Sequence, residues 1–333
     1  MMRAAVFQGI EDVQIEEVPD PVPGEGEVLV RPKYCGVCGT DLGAWKYDFF
    51  GSGVVLGHEF VGEVIELGSG VNTWTVGDRI VPNSLIPCKR CNFCLEGKFT
   101  VCEGVEMLGV TINGGMADLV VLPADSLYAI PDSMSWQEAA LIEPLAIVLH
   151  GFNRIDFKAG QSILILGVGT IGLFAVKVAQ ISGAGSIAIS EPNKFRRNLA
   201  AKFGPIKINN PQQNPPTFAF ENPFDHVIEC SGVASVAAEA FSLLKRGGTL
   251  LILGLHADPV EADFFSAVLN EYTIQFSYFG FSEFPAAIKL ISNQIIEVND
   301  LITKCIKLED VVQEGFQELM IPNTENVKIL VEI

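Results

Sequence analysis

The pattern of hydrophobic and polar residues changes near residue 150. Before that point, short apolar runs at 28–30, 61–65 and 119–122 are separated by Gly and Pro, a pattern typical of β-strands and turns. We therefore predict that the first 150 residues are all-β. After residue 161, apolar runs too short for helices alternate with segments whose apolar residues recur at helical spacing. This alternation predicts a parallel sheet with helices on both faces.

The elements of the second part can be predicted one by one. Strands are expected at 162–166, 186–190, 227–230 and 250–253, and helices at 173–182 and 194–203. Mixed elements return towards the end, with helices near 283–292 and 309–319 and a last strand at 327–333. The predicted fold class is α/β, with a β-rich part followed by a doubly wound parallel sheet.

Length, composition and charge narrow the classes of protein. A length of 333 residues predicts two domains at about 150 residues each. The chain is 49% hydrophobic and 19% charged, which excludes a disordered protein. Its formal charge of −18 repels phosphate backbones, so we expect no nucleic-acid partner. Because we find neither a membrane-length apolar run nor a signal peptide, we expect a cytoplasmic protein with no membrane partner.

Four cysteines with short spacing form the strongest chemical signal. They follow the pattern C-x2-C-x2-C-x7-C, at Cys88, Cys91, Cys94 and Cys102. In a reducing compartment such clustering favours a metal over disulfides. Four thiolates can enclose one zinc ion tetrahedrally and leave no open position, which predicts a structural zinc site. The spacing alone also allows an iron–sulfur cluster.

A glycine-rich turn predicts a dinucleotide site. The segment 167–172 follows a predicted strand and opens a predicted helix, the context in which GxGxxG binds a pyrophosphate. Glycines allow the tight turn, the approach of the pyrophosphate and close strand–helix packing, and the helix N-terminus supplies N–H groups. The candidate residues of this turn are Gly167, Gly169, Thr170, Ile171 and Gly172.

The second predicted strand of the sheet ends in an acidic residue that bears on the choice of cofactor. Glu191 follows this strand and is placed to accept hydrogen bonds from the adenosine ribose, where its charge would repel the 2′-phosphate of NADP. Arg196 and Arg197 argue the other way, because either could reach a phosphate. We therefore expect NAD rather than NADP, with Glu191 and Arg196 as cofactor-binding residues.

A third set of candidate residues is dispersed along the chain. Cys38, the pair His58-Glu59 and the pair Glu143-Pro144 lie far apart in sequence. Taken singly, a cysteine is more often a small core residue and a histidine more often a hydrogen-bonded neutral group than a ligand. Spacing alone does not assemble these residues into one site.

Six motifs occur in an order that resembles the zinc-dependent medium-chain dehydrogenases, in particular the polyol, sorbitol and butanediol dehydrogenase branch. They are CGVCGTD at 35–41, GHEFVGEV at 57–64, the four-cysteine loop, NGGMADLVVLP at 113–123, EPLAIVLH at 143–150 and GVGTIG at 167–172. The resemblance implies a GroES-like catalytic domain over 1–146 and 281–333, and a Rossmann domain over 147–280. It also implies a homotetramer or a homodimer.

The resemblance also assembles the dispersed residues. It implies two zinc ions per chain, one structural and one catalytic, with Cys38 and His58 as ligands of the catalytic ion and Cys35 as a core residue. Glu143 and Glu59 are each implied as a further ligand or as the partner of a water molecule, and their order stays open. One thiolate, one imidazole and one carboxylate would balance the charge of Zn²⁺ and leave it electrophilic. Thr40 is implied as the hydroxyl that passes the substrate proton outward.

Two positions depart from the family pattern. Gly43 stands where family members often carry a histidine of the proton relay, so the relay must use the cofactor ribose and water, or another side chain. The missing ring also predicts a roomier substrate mouth, lined by Ala44 and Trp45. Phe276 stands where the family usually has a small residue.

The expected reaction is hydride transfer between a secondary alcohol and NAD, because zinc is redox-inert and the electrons must leave with a hydrogen. A vicinal diol or polyol is the expected substrate class. The alternatives within the family are threonine-like and simple secondary alcohols. A non-catalytic nucleotide-binding relative and a redox-sensing zinc protein are the alternatives outside it.

Overall fold

The computed structural model describes residues 1–47 and 51–333. The chain divides into two compact units. Unit 1 comprises Met1–Ala146, Phe281–Ile321 and Lys328–Ile333, and unit 2 comprises Ile147–Gly280 and Pro322–Val327. Within the described residues, no helix is both long enough and apolar enough to cross a membrane.

Strands occur throughout both units. In chain order they are β1 (Met2–Gly9), β2 (Asp12–Val18), β3 (Glu27–Gly36), β4 (Val54–Val55), β5 (Glu59–Leu67), β6 (Arg79–Pro82), β7 (Leu85–Ile86), β8 (Glu106–Met107), β9 (Val120–Pro123), β10 (Leu127–Ala129), β11 (Ser162–Leu166), β12 (Ser186–Ser190), β13 (Lys207–Asn209), β14 (Phe224–Glu229), β15 (Leu244–Ile252), β16 (Thr273–Phe276), β17 (Ile302–Lys307) and β18 (Lys328–Glu332).

The α-helices of the described residues are 3 to 12 residues long. They are α1 (Gly39–Tyr47), α2 (Asn92–Leu95), α3 (Trp136–Ala139), α4 (Ile142–Asn153), α5 (Thr170–Ile181), α6 (Lys194–Ala201), α7 (Pro216–Ala219), α8 (Ala234–Ala240), α9 (Phe264–Leu269), α10 (Phe284–Ser292) and α11 (Glu318–Met320). Single 3₁₀ turns lie at Phe99–Val101, Ala124–Ser126, Phe241–Leu243, Asn299–Leu301 and Leu308–Asp310, and a π-helix at Val311–Gln317.

Unit 1 is built on mostly antiparallel sheets. Its large sheet has the order β10-β6-β5-β3-β18-β17, with β9 also pairing β3, and smaller sheets join β2-β1-β4 and β7-β8. The last strand β18 returns from the end of the chain and pairs antiparallel with β3, so that Leu330 lies opposite Gly36. This pairing brings the C-terminal segment next to the residues that follow β3.

Unit 2 contains one parallel sheet in the order β13-β12-β11-β14-β15-β16. Its central strand β11 pairs with β12 on one side and with β14 on the other, so the strand order reverses at β11 and β14. Ile163, Leu164 and Ile165 are all fully buried. Both faces of this strand are therefore covered, which explains why its sequence is an unbroken apolar run. The α/β class with a doubly wound parallel sheet is confirmed.

The prediction that the first 150 residues are all-β is wrong. Helix α1 lies inside this part, and Asp41, Ala44 and Trp45 form its buried face at helical spacing. Two glycines and a low apolar content hide this pattern. Helix α4 begins at Ile142 within a segment that is buried on nearly all sides, so it has no polar face to reveal a helical period.

The helix predicted near 309–319 is also irregular. The structure has a 3₁₀ turn, then the π-helix Val311–Gln317, and only three α-helical residues after it. Val311, Gly315 and Phe316 are its buried residues, and the wider π-turn places Phe316, five residues after Val311, on the same side of the helix.

Candidate functional site

Three metal-binding side chains of unit 1 converge. Ligand atoms of Cys38, His58 and Glu59 all lie within 4.8 Å of one another. Cys38 lies between β3 and α1, His58 directly precedes β5, and Glu59 is the first residue of β5. Because β3 and β5 are neighbours in the sheet, their pairing brings together residues that are distant in sequence. We call these three residues the Cys38 cluster.

Two glycines make this convergence possible. Gly57 has φ +97°, and a Cβ there would lie 2.6 Å from Cys35 Sγ, so only glycine allows the turn that delivers His58. Gly36 lies opposite Glu59 in the β3–β5 pairing, and a Cβ there would lie 2.4 Å from Glu59 Oε2. Because Gly36 has no side chain, the Glu59 carboxylate can occupy the space next to it.

Glu143 is buried in the first turn of α4. Its Oε1 accepts a hydrogen bond of 3.0 Å from the Ser84 hydroxyl. Its Oε2 is buried and has no hydrogen-bond partner among the described residues. Burial and the negative charge of Glu59 together raise the pKa of Glu143 to about 7.

Asp41 supports the cluster from the first turn of α1. It is fully buried, and its Oδ2 accepts the Cys38 N–H at 2.9 Å. Its Oδ1 lies 3.5 Å from Nδ1 of His58, and both atoms are buried without a closer partner in the described chain. Burial lowers the pKa of His58, but the charges of Asp41 and Cys38 outweigh it and raise that pKa well above its usual value.

Lys328 contributes the fixed positive charge of this region. It opens β18, is 1% exposed, and donates from Nζ to Val37 O at 2.9 Å and to Glu59 Oε2. Burial lowers the pKa of Lys328, whereas the charges of Glu59 and Cys38 raise it, and the net shift is upward. Sequence reasoning missed this residue, because a lysine far from every motif carries no local signal.

The donor set fits a divalent cation. Asp41, Glu59 and Glu143 are buried carboxyl groups, and Lys328 pairs with Glu59. Burial is the main cause of the raised pKa of Glu143, and nearby negative charge raises the pKa of both Glu143 and His58. A thiolate, an imidazole and a carboxylate oxygen are ligands that Zn²⁺ accepts. The unpartnered oxygen of Glu143 supplies a further acceptor.

The surroundings of Thr40 and Gly43 modify one expectation. The Thr40 N–H and its Oγ1 lie 3.4 and 3.6 Å from Cys38 Sγ, so its hydroxyl is adjacent to the cluster. Ala44 and Trp45, expected to line the substrate mouth, are instead part of the hydrophobic core of unit 1. Both residues follow Gly43 in helix α1 and belong to the buried face of that helix.

The four cysteines of the predicted zinc loop also converge. The sulfurs of Cys88, Cys91, Cys94 and Cys102 lie within 4.8 Å of one another, and all four are free thiols. Hydrogen bonds from the backbone N–H groups of Arg90 and Cys91 lower the pKa of Cys88 to about 6. Such a lowered pKa favours the thiolate, which is the form that binds a metal.

The glycine-rich turn of unit 2 connects β11 to α5. Gly167 has φ +83°, and a Cβ there would lie 2.9 Å from the Cβ of Ser231. Gly169 caps α5, and a Cβ at Gly172 would lie 2.0 Å from Gly167 O. Thr170 and Ile171 form the first turn of the helix, so their N–H groups have no intrahelical acceptor. The turn therefore offers backbone donors to an anion.

Glu191 follows β12 and faces this turn. It is 3% exposed, and its two oxygens accept the N–H groups of Val168 at 2.7 Å and Asn193 at 2.9 Å. The carboxylate therefore also supports the glycine-rich turn itself, a role that sequence reasoning did not foresee.

The two arginines that follow Glu191 differ in environment. Arg197 Nη1 donates to Glu191 O at 2.7 Å and Pro192 O at 2.6 Å, so it is engaged with backbone. Arg196 Nε is buried and has no partner among the described residues, and its Nη1 lies 3.9 Å from the position of a Cβ on Gly169. Arg196 is thus the arginine that lies beside the predicted phosphate turn.

Two protein families match this chain. The family described as "Alcohol dehydrogenase GroES-like domain" matches residues 24–132, and the family "Zinc-binding dehydrogenase" matches residues 170–293. The sorbitol dehydrogenase of Bacillus subtilis (strain 168) is 30% identical, over 99% of this chain and 97% of its own length. The chain belongs to the zinc-binding alcohol dehydrogenase family.

Solved structures of other family members have the same fold. A 2R,3R-butanediol dehydrogenase from Bacillus subtilis is 28% identical with a TM-score of 0.92, and the match covers 100% of both chains. A protein from Sinorhizobium meliloti 1021, solved with bound NADP, is 31% identical with a TM-score of 0.94, over 100% of this chain and 99% of that one. The resemblance inferred from the six motifs is confirmed.

Three residues of this zinc-binding dehydrogenase were missed in the sequence. Asp41 belongs to the CGTD motif, so the motif could have identified it as a candidate residue. Ser84 and Lys328 lie in no motif, and their roles follow only from contacts with Glu143 and Glu59.

We predict that Cys91→Ser lowers the zinc content from two ions per chain to one and lowers the melting temperature, because the fourth thiolate closes the tetrahedral site. Inductively coupled plasma mass spectrometry and thermal unfolding measure these effects. Cys305→Ser is the matched control, because Cys305 is exposed and outside both clusters. Two zinc ions and an unchanged melting temperature in Cys91→Ser would contradict a structural zinc at this loop.

Proposed function

We propose that this chain catalyses the reversible oxidation of a secondary alcohol to a ketone, with NAD as hydride acceptor. The observation that carries the proposal is the Cys38 cluster, three residues that could hold a metal ion in a chain of the zinc-binding dehydrogenase family. When bound, zinc supplies a Lewis acid and the dinucleotide supplies a hydride acceptor.

A vicinal diol or polyol is the proposed substrate class. Two of the proteins similar to this chain are named for sorbitol and for 2R,3R-butanediol, both of which carry neighbouring hydroxyl groups. The second buried carboxylate at Glu143 is consistent with such a substrate, because a diol offers an additional hydroxyl donor.

The roles of the two glutamates can now be proposed separately. Glu59 belongs to the Cys38 cluster, whereas Glu143 lies outside the group of mutually close ligand atoms. We infer that Cys38, His58 and Glu59 hold the catalytic zinc, with Lys328 balancing the added negative charge. Glu143, held by Ser84 through Oε1, uses its free Oε2 to accept a hydrogen bond from water or substrate.

Thr40 is the proposed first proton acceptor. Its hydroxyl lies beside Cys38 Sγ and can both accept and donate a hydrogen bond. Because residue 43 is glycine, α1 itself offers no imidazole for the next step. The onward relay is therefore proposed to run through groups outside α1.

The two units divide the chemistry in this proposal. Unit 1 would be the catalytic domain with both zinc sites, and unit 2 the dinucleotide-binding domain. Gly167, Gly169, Thr170, Ile171 and Gly172 would receive the pyrophosphate, with Arg196 beside them. The negative charge of Glu191 supports NAD over NADP, although a similar protein from Sinorhizobium meliloti binds NADP.

We predict that the enzyme reduces NAD with a diol or polyol, and that Cys38→Ser lowers kcat by at least about a hundredfold while NADH affinity stays the same. Absorbance of NADH measures turnover over butanediol stereoisomers, sorbitol, xylitol, threonine, phosphorylated polyols and simple secondary alcohols. Protein fluorescence measures NADH binding, and Cys305→Ser is again the control.

The outcomes of this experiment separate the alternatives. Turnover of threonine or a simple alcohol alone would replace the substrate class. NADH binding without any turnover, in protein with both zincs, would favour a non-catalytic relative. Zinc released by mild oxidant without turnover would favour a redox-sensing protein.

We predict that Glu191→Ala shifts the ratio of kcat/KM for NAD over NADP towards NADP, because removal of the carboxylate removes its repulsion of the 2′-phosphate. The variant should also bind both cofactors more weakly, since the Val168 N–H loses its acceptor. An unchanged ratio in the folded variant would show that Glu191 acts on the turn alone.

An apolar face of unit 2 supports the proposed homo-oligomer. Phe264, Phe265, Val268 and Leu269 of α9 are each at least 64% exposed, and Phe276 of β16 is 66% exposed. Strand β16 is also the edge of the parallel sheet, where backbone groups are open to another strand. An exposed apolar face beside an open edge favours association with a second copy.

We predict that Phe265→Glu reduces the mass of the assembly in sedimentation velocity, because it places a charge in this apolar face. Val22→Glu is the matched control, since Val22 is 80% exposed in unit 1. The same mass for Phe265→Glu and for the unmodified protein would exclude this face as the interface.

A further inference from the structure

A buried acid–imidazole pair lies at the carboxyl ends of β14 and β15, and the proposed chemistry does not use it. Glu229 is the last residue of β14 and is fully buried. His256 lies in the loop after β15, with 11% of its side chain exposed. Its Nε2 lies 3.2 Å from Glu229 Oε2, within ion-pair distance, and it has no hydrogen-bond partner in the described part of the chain.

Glu229 holds two loops at once. Its Oε1 accepts the Ser231 N–H at 2.7 Å, the Ser231 hydroxyl and the Gly232 N–H at 3.2 Å. Its main-chain oxygen accepts the N–H groups of Leu253 at 2.9 Å and Gly254 at 3.1 Å. Side chain and backbone of one residue therefore position both the loop after β14 and the loop that carries His256.

The two loops fit together without spare room. A Cβ at Gly254 would lie 2.4 Å from Glu229 Oε2, and a Cβ at Gly232 would lie 2.6 Å from Leu255 O. Both distances are shorter than a carbon atom tolerates. The loop before His256 therefore has a well-defined position, as a residue that orients a ligand requires.

This pair lies beside the glycine-rich turn. The Cys230 N–H donates to Leu166 O at 2.9 Å, and Gly167 is in close contact with Ser231. Strand order reverses between β11 and β14, and doubly wound sheets bind a dinucleotide across such a point. Gly167 and Glu191 lie on the β11–β12 side, which takes the adenosine half. The β14–β15 side, with His256, faces the other half.

We propose that His256 is a positioning residue for the ribose of the nicotinamide half, an inference that rests on the proposed function. A carboxylate only accepts hydrogen bonds, so a neutral imidazole in this position complements Glu229 when its hydrogen is on Nε2. In that tautomer Nδ1 is an acceptor. The complementary group on a dinucleotide is a ribose hydroxyl, which donates to Nδ1. Glu229 thus acts through His256 by setting its tautomer.

The test compares ligands that contain and lack the second ribose. Dissociation constants of AMP, ADP-ribose and NADH are measured by calorimetry for the full chain and for His256→Ala. We expect His256→Ala to weaken ADP-ribose and NADH about five- to tenfold, the value of one hydrogen bond. AMP, which lacks the second ribose, should bind within about twofold of the unmodified protein.

Two further variants separate ligand positioning from support of Glu229. The amide of Asn occupies the place of Nδ1, whereas the longer amide of Gln occupies the place of Nε2. We therefore expect His256→Asn to keep most of the ADP-ribose affinity and His256→Gln to lose it. The reverse order, with Gln active and Asn weak, would overturn the proposal and assign His256 a structural role.

The control variant is Asp258→Asn, an exposed position in the same loop, which should leave all three affinities unchanged. Equal weakening of AMP and ADP-ribose in His256→Ala would overturn the proposal, as would no weakening at all. If the unmodified protein binds none of the three ligands, the proposed function itself fails. The failure of His256 and the failure of the dinucleotide site are therefore distinguishable.

Discussion

The buried negative charge around the Cys38 cluster is the constraint on which unit 1 depends. Asp41, Glu59 and Glu143 are each at most 2% exposed, and the Cys38 sulfur lies among them. An unpaired buried carboxylate costs several kcal/mol, and Lys328 offsets only one of these charges. A divalent cation held by the Cys38 cluster would relieve the remaining repulsion and would couple metal binding to the stability of unit 1.

In the proposed function, unit 2 would bind an anionic cofactor although the chain has a net charge of −18. The groups that would favour the anion are local. The N–H groups of Thr170 and Ile171 in the first turn of α5 have no intrahelical acceptor, while the carboxylates of Glu191 and Glu229 are buried and bonded to N–H groups. Each carboxylate ends or follows a parallel strand and holds the loop after it. Both negative charges are therefore bonded to the backbone, and screening over about 8 Å limits the effect of distant charges.

The parts of this fold that the sequence predicted best are those whose signal is local. Strand β11 reads as an apolar run because both faces of a parallel sheet are buried, and its predicted bounds agree with the structure. Helices α1 and α4 were not predicted, for two different reasons. α1 is short and glycine-containing, and α4 is apolar on nearly every side, so neither has the two-faced pattern that reveals a helix.

By itself, the sequence determined the family, the fold class, the four-cysteine loop and the glycine-rich turn, because each depends on residues that are close in the chain. Only the tertiary structure decided how Glu59 and Glu143 differ. Lys328 reaches Glu59 from a strand 269 residues away, and Ser84 reaches Glu143 from another loop. The same holds for His256 and Glu229, which meet through neighbouring strands. Strand register and the space left by Gly36 and Gly57 create these contacts, and no local pattern encodes them.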